Sequence, residues 1–544
     1  MDSEVIVVGS GAAAVHLAQT LVEAQVSVLM LDVGISPAKS ENHSVDSTFS
    51  ELRKTDKNQY LYFLGKELET VEWQSVKVGA QLSSGRQYMT SRVEALTPKE
   101  SSTFFPYESL AQGGLGVAWG AGCYAYSVQE LERCGLDPNK MESSYQTIGQ
   151  RIGVSCPSAD VEPYTLRGLV DHPEASIELN SVFKDLYLRY QKNRPRLSLR
   201  HFAMGVPSLA ILAKNRNLRQ AHGYREMDFY DDNQKSIYRP WMTLEELRTN
   251  KYFKYLNQIL VTQFETHAEG VVVHGFDINK QTSLSFRSKR LALAAGVLGT
   301  SRIVLRSLRE KNQTSVLELP ILCNNYTYVP TLNLSHIGKE MDEKSLALSQ
   351  LLLTHQNPYD PADVATASVY NYKTLLLFRL IKESFFSIKF SRELFQYLQS
   401  GLIIFGIHHP DGRSGGRRSL RLINDSNSLT KDRLLIDFDY SDSEMKKIKY
   451  REKEFEWAIR QLGCWPVKKV RPPAGASIHY AGTLPYSQKD LPLTLNQLGQ
   501  LRDSPFVYVA DGSGLNYLPA KGLTFTLMAI GDKTARNMIS EIKT

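Results

Sequence analysis

The sequence predicts an α/β fold, because the order strand, glycine-containing turn, helix occurs at three separate places along the chain. These places are residues 4–34, 290–308 and 506–542. A parallel sheet with helices packed on its faces is assembled from such units. The wide spacing of the three units predicts a sheet built from discontinuous segments of the chain.

The N-terminal unit carries the strongest signal. Residues 5–8 (VIVV) form a β-branched run typical of a buried strand, and Gly9, Gly11 and Ala14 complete the pattern G-x-G-x-x-A. The first glycine permits the turn, the second lets the backbone approach a pyrophosphate, and Ala14 allows close packing of the helix. The free N–H groups at the start of that helix point towards the phosphates. The pattern predicts a Rossmann-like dinucleotide site.

Asp32 supports this interpretation. It ends the second strand of the unit, VSVLMLD (26–32), about 20 residues past the glycines, where a carboxylate accepts hydrogen bonds from ribose hydroxyls. The alternative is an ordinary glycine-rich β–α turn without a ligand, which leaves the placement of Asp32 unexplained.

A second glycine-rich segment, LAQGGLGVAWGAGCYAYS (110–127), contains Gly113, Gly114 and Gly120 together with Trp119. It has too little side-chain volume to build a core of its own. Glycine lets the backbone pass close to a flat, bulky ligand, so we expect ligand contact here. The alternative, a flexible surface loop, fits poorly with Trp119 and the neighbouring tyrosines.

The other two units continue the sheet. Strands with hairpin turns are expected from residue 256, followed by the apolar strand RLALAAG (290–296) and a helix that begins near Thr300. Near the C-terminus, a strand ends at Asp511 and is followed by a loop and a closing helix.

Length and composition limit the possible function classes. The 544 residues allow two domains or one elaborated domain, and the net charge of +7 with scattered Lys and Arg gives no sign of a nucleic-acid-binding arm. Five widely spaced cysteines without a CxxC pair argue against a disulfide framework and against a zinc site, so no metal is expected. We find no cleavable leader and no apolar run of roughly 18 residues, and therefore expect a cytoplasmic protein.

Together these motifs resemble those of the glucose-methanol-choline (GMC) family of FAD-dependent oxidoreductases. The turn VVGSGAAA is similar to the family's pyrophosphate-binding turn, LALAAGVLGTSRIVL to its central strand–turn–helix, VYVADGSGLNYLP with TFTLMAI to its C-terminal signature, and HYAGT to the stretch with its catalytic histidine. The motif order is preserved, while 311–475 carries little of the resemblance. The resemblance implies FAD as the cofactor. The residues it places in contact with FAD are Gly9, Gly11, Ala12, Ala13, Ala14, Asp32, Gly113, Gly114, Trp119, Gly120, Val261, Ala295, Gly296, Asp511, Gly512 and Thr524.

The resemblance also implies a division of the chain. An FAD-binding domain is expected from 1–165, 200–310 and 476–544, with an α+β substrate domain at 311–475 and a helical insertion at 166–199. In the pyranose-oxidising branch of the family, a histidine before the tryptophan is bonded covalently to the flavin. Ala118 stands at that position here. We therefore expect FAD to be held noncovalently.

His479, in SIHYAGTLPYS (477–487), is the expected general base. Oxidation of an alcohol by a flavin transfers a hydride from carbon to flavin N5, and removal of the hydroxyl proton makes this transfer favourable. An imidazole with a pKa near 6.5 suits that task. The alternative is a buried histidine with satisfied hydrogen bonds. His408 and His409, expected in a turn at a strand end, are weaker candidates for site contact.

Family members place a second histidine or asparagine opposite this base, just before the final helix. The sequence has AKGLTFT there, and Lys521 and Asn516 are the nearest polar candidates for the second catalytic residue.

The expected activity is oxidation of a hydroxyl of a sugar, polyol or other alcohol, lipid-linked ones included, to a carbonyl. The reduced flavin is then reoxidised by O2 or another acceptor. Two alternatives remain open at this point: a non-redox enzyme of the lyase type, and a flavin-binding protein that has lost catalysis.

The segment 372–407 does not follow the family pattern. It is rich in Leu, Ile and Phe with interspersed Lys and Arg, which at helical spacing gives a broad apolar face edged by cations. Such a helix is expected either to pack on the substrate domain or to lie on the inner face of an anionic membrane as a peripheral contact.

Overall fold

The computed structural model of the chain describes residues 2–37, 47–66, 82–309, 317–371, 394, 397–413 and 415–543. Most of the predicted apolar cationic segment, 372–393, lies outside these residues.

Strands occur throughout the described part of the chain. They are β1 (Asp2–Val8), β2 (Val28–Leu31), β3 (Lys99–Glu100), β4 (Phe202–Gly205), β5 (Phe253–Leu256), β6 (Ile259–His267), β7 (Gly270–Asp277), β8 (Thr282–Leu293), β9 (Leu319–Pro320), β10 (Leu322–Cys323), β11 (Asn325–Leu332), β12 (Leu351–Asn357), β13 (Asp360–Asn371), β14 (Leu402–His409), β15 (Arg418–Asn424), β16 (Asp432–Phe438), β17 (Trp465–Pro466), β18 (Tyr480–Ala481), β19 (Gln500–Leu501) and β20 (Ser504–Val509).

The α-helices range from single turns to five turns. They are α1 (Ala12–Glu23), α2 (Phe49–Thr55), α3 (Tyr60–Phe63), α4 (Val93–Leu96), α5 (Val128–Cys134), α6 (Pro138–Ile152), α7 (Ser181–Ser198), α8 (Pro240–Leu247), α9 (Val297–Arg309), α10 (Asp442–Gln461) and α11 (Thr524–Lys543). Short 3₁₀ turns cover Ser84–Thr90, Gly114–Val117, Glu162–Tyr164, Leu334–His336, Gln399–Gly401 and Gly512–Gly514.

The largest sheet has eight strands and contains all three predicted strand–turn–helix units. Its order is β19-β20-β8-β1-β2-β5, with β20, β8, β1, β2 and β5 mutually parallel, and β6 and β7 extend from β8 as an antiparallel meander. The predicted N-terminal unit is therefore present as β1, α1 and β2. The helix predicted near Thr300 begins slightly earlier, at Val297, as α9.

Close helix packing follows from small residues. The virtual Cβ of Gly531 on α11 would lie 2.2 Å from the backbone oxygen of Ala13, so only glycine lets α11 lie directly against α1. Gly9 has a φ of +97°, and its virtual Cβ would lie 2.6 Å from the oxygen of Ala294 at the end of β8.

A six-stranded antiparallel sheet forms the second layer, in the order β17-β11-β14-β13-β12-β4. Its register pairs His408 of β14 with Tyr326 of β11 and with Thr366 of β13, so these three side chains share one face. Thr366 hydrogen-bonds to the carbonyl oxygen of Ala520, which turns this face towards the C-terminal motif.

The opposite face of the same sheet is covered by α10. Thr327 donates a hydrogen bond to Glu452 of α10 at 2.7 Å, and Phe202 of β4 meets Phe455 of α10 edge to face at 5.3 Å. His409, one residue after His408, lies on this covered face because side chains alternate along a strand.

The helix predicted over 372–407 is wrong in part. Residues 402–407 belong to β14, so an amphipathic helix over the whole of 372–407 is wrong for its last six residues. Their apolar character reflects a strand in the middle of a sheet that is covered on both faces. The division into domains stays a prediction. The segment 166–199 contains α7, and β4, from the segment assigned to cofactor binding, pairs with β12.

No helix within the described part of the chain has the length and apolar character needed to cross a membrane.

Candidate active site

The two glycine-rich segments meet above the carboxyl end of β1. The virtual Cβ of Gly114 lies 3.4 Å from the Cα of Gly11, so the two backbones are in contact. At Gly11, Gly120 and Gly296 an added Cβ would meet no protein atom within 4 Å. Gly296 has a φ of +77°, which by itself favours glycine, and Gly120 is exposed. At Gly11 no protein contact requires glycine, and this fits the close approach of a ligand.

Asp32 connects β2 to the glycine-rich segment. It accepts hydrogen bonds from the hydroxyls of Ser10 and Tyr255, and the Ser10 hydroxyl in turn accepts one from the N–H of Gly113 at 2.9 Å. Burial raises the pKa of Asp32 to about 6, against the lowering effect of the Ser10 hydrogen bond. This network fixes the turn around Gly9 and Gly11.

Asp511 performs a similar structural task at the carboxyl end of β20. It accepts hydrogen bonds from the Thr300 hydroxyl of α9 at 2.6 Å and from the N–H of Ser513 at 2.9 Å. Burial is the first cause of its raised pKa. Gly512 accepts a hydrogen bond from the N–H of Gly482 at 2.9 Å, which attaches the His479 stretch to the C-terminal motif.

Trp119 is buried, and its indole N–H donates to the carbonyl oxygen of Tyr238 at 2.8 Å. Of the remaining predicted cofactor residues, Val261 is buried in β6, Ala295 and Gly296 precede α9, Thr524 begins α11, and Ala12 and Ala13 begin α1. Apart from Val261, which lies within its strand, these positions lie at or just before the first residues of the helices α1, α9 and α11.

His479 lies where the C-terminal motif meets the six-stranded sheet. Its backbone oxygen accepts a hydrogen bond from the N–H of Asn324 at 3.1 Å, and the amide of Asn324 also donates to the oxygens of His409 and Leu518. Asn324 therefore joins the stretch with His479, the end of β14 and the C-terminal motif.

The imidazole of His479 stacks on that of His408. The ring centroids are 4.8 Å apart, with an angle of 25° between the planes. The Nδ1 atom of His479 is buried and makes no hydrogen bond to any of the described residues. Burial lowers the pKa of His479 to about 4, so the imidazole is neutral at pH 7.

His408 is held between two rings. Its ring centroid lies 4.6 Å from that of Tyr326 and 4.8 Å from that of His479. Burial, then His479 and then His409 hold the pKa of His408 well below its usual range. His409, on the covered face, has no hydrogen bond to either ring nitrogen within the described ranges.

The two predicted partner residues are engaged elsewhere. The amine of Lys521 donates to Glu130 at 2.7 Å and to the oxygen of Ala125 at 3.3 Å, and both members of this ion pair are buried. Asn516 donates to the oxygen of Tyr486 at 2.9 Å. Lys521 and Asn516 thus have structural contacts, and His408 is the residue whose ring meets His479.

Sequence reasoning missed Ser10, Tyr326 and Asn324. The signal for Tyr326 was the alternation of NYTYVPTL (325–332), which marks a strand with tyrosines on one face, but its register against β14 depends on pairing between distant segments. Among the described residues, no cluster of His, Cys, Asp and Glu is arranged to hold a metal ion.

The fold and the site define a chain with a large parallel sheet and an antiparallel sheet, joined where the His479 stretch meets the end of β14. The solved structure of pyridoxine 4-oxidase from Mesorbium loti has a similar fold, with a TM-score of 0.57, 13% sequence identity and coverage of 99% of each chain. No protein-family model matches the chain, and no curated protein matches it significantly. At this identity the likeness establishes the fold.

Proposed function

We propose that this protein is a GMC-type FAD-dependent oxidoreductase that oxidises a substrate hydroxyl to a carbonyl. The observation that carries the proposal is His479, whose half-buried imidazole is neutral at pH 7 and lies beside the C-terminal motif. The name of the structural neighbour, an oxidase, supports the reaction class.

The residues present fit FAD. Gly11, Gly120 and Gly296 leave space that protein atoms do not fill, and the start of α1 offers free N–H groups to a pyrophosphate. Gly9, Ala12, Ala13, Ala14, Asp32, Gly113, Gly114, Trp119, Val261, Ala295, Asp511, Gly512 and Thr524 complete the proposed set. When bound, FAD supplies the acceptor for the hydride and its two electrons. Ala118 offers no side chain for a covalent link, so the proposed binding is noncovalent.

In this proposal His479 accepts the proton of the substrate hydroxyl. The O–H bond of the substrate would break and its proton would pass to a ring nitrogen of His479. The hydrogen of the C–H bond would leave with both bonding electrons as the hydride that the cofactor, when bound, would accept. The neutral state of His479 leaves a lone pair available for this proton. The proposed substrates are a sugar, a polyol or another alcohol, lipid-linked alcohols included, and the final acceptor is O2 or another oxidant.

The proposal is tested with purified protein under anaerobic conditions. The protein should be yellow, acid precipitation should release FAD into the supernatant, and one of a panel of sugars, polyols, sterols and long-chain alcohols should bleach the absorbance near 450 nm. Yellow colour that remains with the denatured pellet contradicts noncovalent binding. A flavin that no alcohol reduces contradicts the oxidoreductase assignment.

A further inference from the structure

One face of the antiparallel sheet extends from the site around His479 without a charged side chain. The pairing register and the alternation of side chains place three rows of residues on this face. The rows are Tyr326, Tyr328, Pro330 and Leu332 of β11, His408, Gly406, Ile404 and Leu402 of β14, and Thr366, Ser368 and Tyr370 of β13. Burial raises the pKa of Tyr326 and of Tyr370 and lowers that of His408, so all three rings are uncharged at pH 7. We call these three rows the uncharged strip.

The two faces of the sheet differ in how far they are buried. On the face that α10 covers, Val329 and Phe405 are fully buried. On the uncharged strip, Ile404 and Leu402 in the middle row are buried, whereas several of their neighbours are only half-buried. The half-buried residues are Tyr326, Tyr328, Leu332, Ser368, Tyr370 and His408. The strip therefore keeps accessible aromatic and aliphatic surface, which a ligand can cover favourably.

The strip leads from the site to an exposed apolar rim. It begins at His408, whose ring centroid lies 4.8 Å from that of His479. At the spacing of a β-strand, Leu402 at the other end lies about 20 Å from His408. There Trp465 of β17 pairs with Leu332, and Trp465 and Leu334 are 56% and 59% exposed. A molecule with its hydroxyl at His479 can thus extend along the strip as far as this rim.

We infer that the substrate is an alcohol with a long, uncharged apolar chain, and that this chain lies along the uncharged strip. The inference rests on the proposed function and narrows its substrate class. In the outer half of the strip, β11 and β14 present Pro330, Leu332, Ile404 and Leu402, which have no polar side-chain atoms. A sugar or polyol lying there would lose hydrogen bonds to water without replacement, whereas an alkyl chain would gain from leaving water.

Anaerobic reduction of the bound flavin by alcohols of increasing chain length tests the inference. Hexanol, decanol and hexadecanol are delivered from cyclodextrin, and the concentration of free alcohol is measured. The affinity should rise about fourfold for each added methylene, which is the usual effect of burying one CH₂ group. Glycerol and glucose should reduce the flavin far less efficiently than hexadecanol. An affinity that does not change with chain length overturns the inference.

Variants at the far end of the strip provide a second test. Leu332→Asp places a charge where the chain of hexadecanol reaches and that of hexanol does not. The ratio of the affinity for hexadecanol to that for hexanol should fall by at least about tenfold. Trp465→Ser, at the rim, should lower the same ratio and serves as the second variant if Leu332→Asp does not fold. The control is Leu218→Asp, the same substitution at a leucine that is 85% exposed and outside the strip, and it should leave the ratio at the wild-type value.

The outcomes separate this inference from the proposed function. If no alcohol reduces the wild-type flavin, the proposed function is wrong and the inference falls with it. If alcohols reduce the flavin but glycerol or glucose does so as efficiently as hexadecanol, only the inference about the apolar chain is wrong. A wild-type ratio in both Leu332→Asp and Trp465→Ser also overturns the inference.

Discussion

At the scale of single residues, the protonation state of the His479 imidazole depends on the segments that surround it. His479 was selected because an imidazole with an ordinary pKa suits a base, which places its ionisation near neutrality. Burial instead lowers its pKa to about 4. Sequence cannot supply this shift, because burial of His479 arises from segments near residues 324, 408 and 480 that pack together only in the fold.

The shift changes the expected pH dependence of the reaction. A base works in its neutral form, so the rate of flavin reduction should be constant from pH 6 to pH 8 and should fall as the pH drops through about 4. Rapid-mixing experiments with brief pH jumps measure this profile before acid unfolding intervenes. A rate that declines with an apparent pKa near 6.5 contradicts the buried, neutral state of His479.

At the scale of elements, periodic and glycine-marked units were predictable, and long-range strand pairing was not. The unit β1, α1 and β2 was visible in local sequence, because its turn chemistry and its strand lie within 30 residues. The strand β14 was taken for part of a helix, since its apolar run is short and both faces are covered. β14 pairs with β11 and β13, and the paired residues lie 32 or more positions apart in the sequence, as Asn371 and Ile403 do. Periodicity alone carries no information about such distant pairing.

The layer between the six-stranded sheet and α10 has a predictable response to acid. Burial, and then the charge of Arg451, lowers the pKa of His355 to about 4 and that of His409 to about 3. The unfolded chain binds protons at these two histidines near pH 6.5, whereas the folded chain keeps them neutral down to a lower pH. The free energy of unfolding is therefore at its full value above pH 6.5 and decreases as the pH falls below it.

Between pH 7 and pH 5 this loss should be on the order of 2 kcal/mol for each of the two histidines. Urea unfolding at both pH values measures it, with the double variant His355→Gln, His409→Gln as the matched comparison. The decline in the free energy of unfolding should be smaller in the double variant. An identical decline in both proteins would show that these histidines do not charge on unfolding.

At the scale of the whole molecule, the arrangement of two facing sheets explains why the candidate site draws on both ends of the chain. The large parallel sheet brings together the glycine turns of β1 and β8 and the end of β20, and all of these were marked by local sequence. The antiparallel sheet brings His408, a weaker candidate from the sequence, beside His479 through the pairing register of β14. Local sequence therefore predicts the strand–turn–helix units, whereas the contact between the two histidines depends on pairing between distant segments.

The most direct test of the central claim is the rate of anaerobic flavin reduction by an oxidisable alcohol in His479→Ala and in the wild type. The substitution removes one side chain at the junction of the two sheets, so the variant should keep its fold and its flavin. Its reduction rate should fall by about 10² to 10⁴, the usual contribution of a positioned general base, while substrate affinity changes less. A His479→Ala protein that retains FAD and is reduced as fast as the wild type would contradict the assignment of His479 as the base.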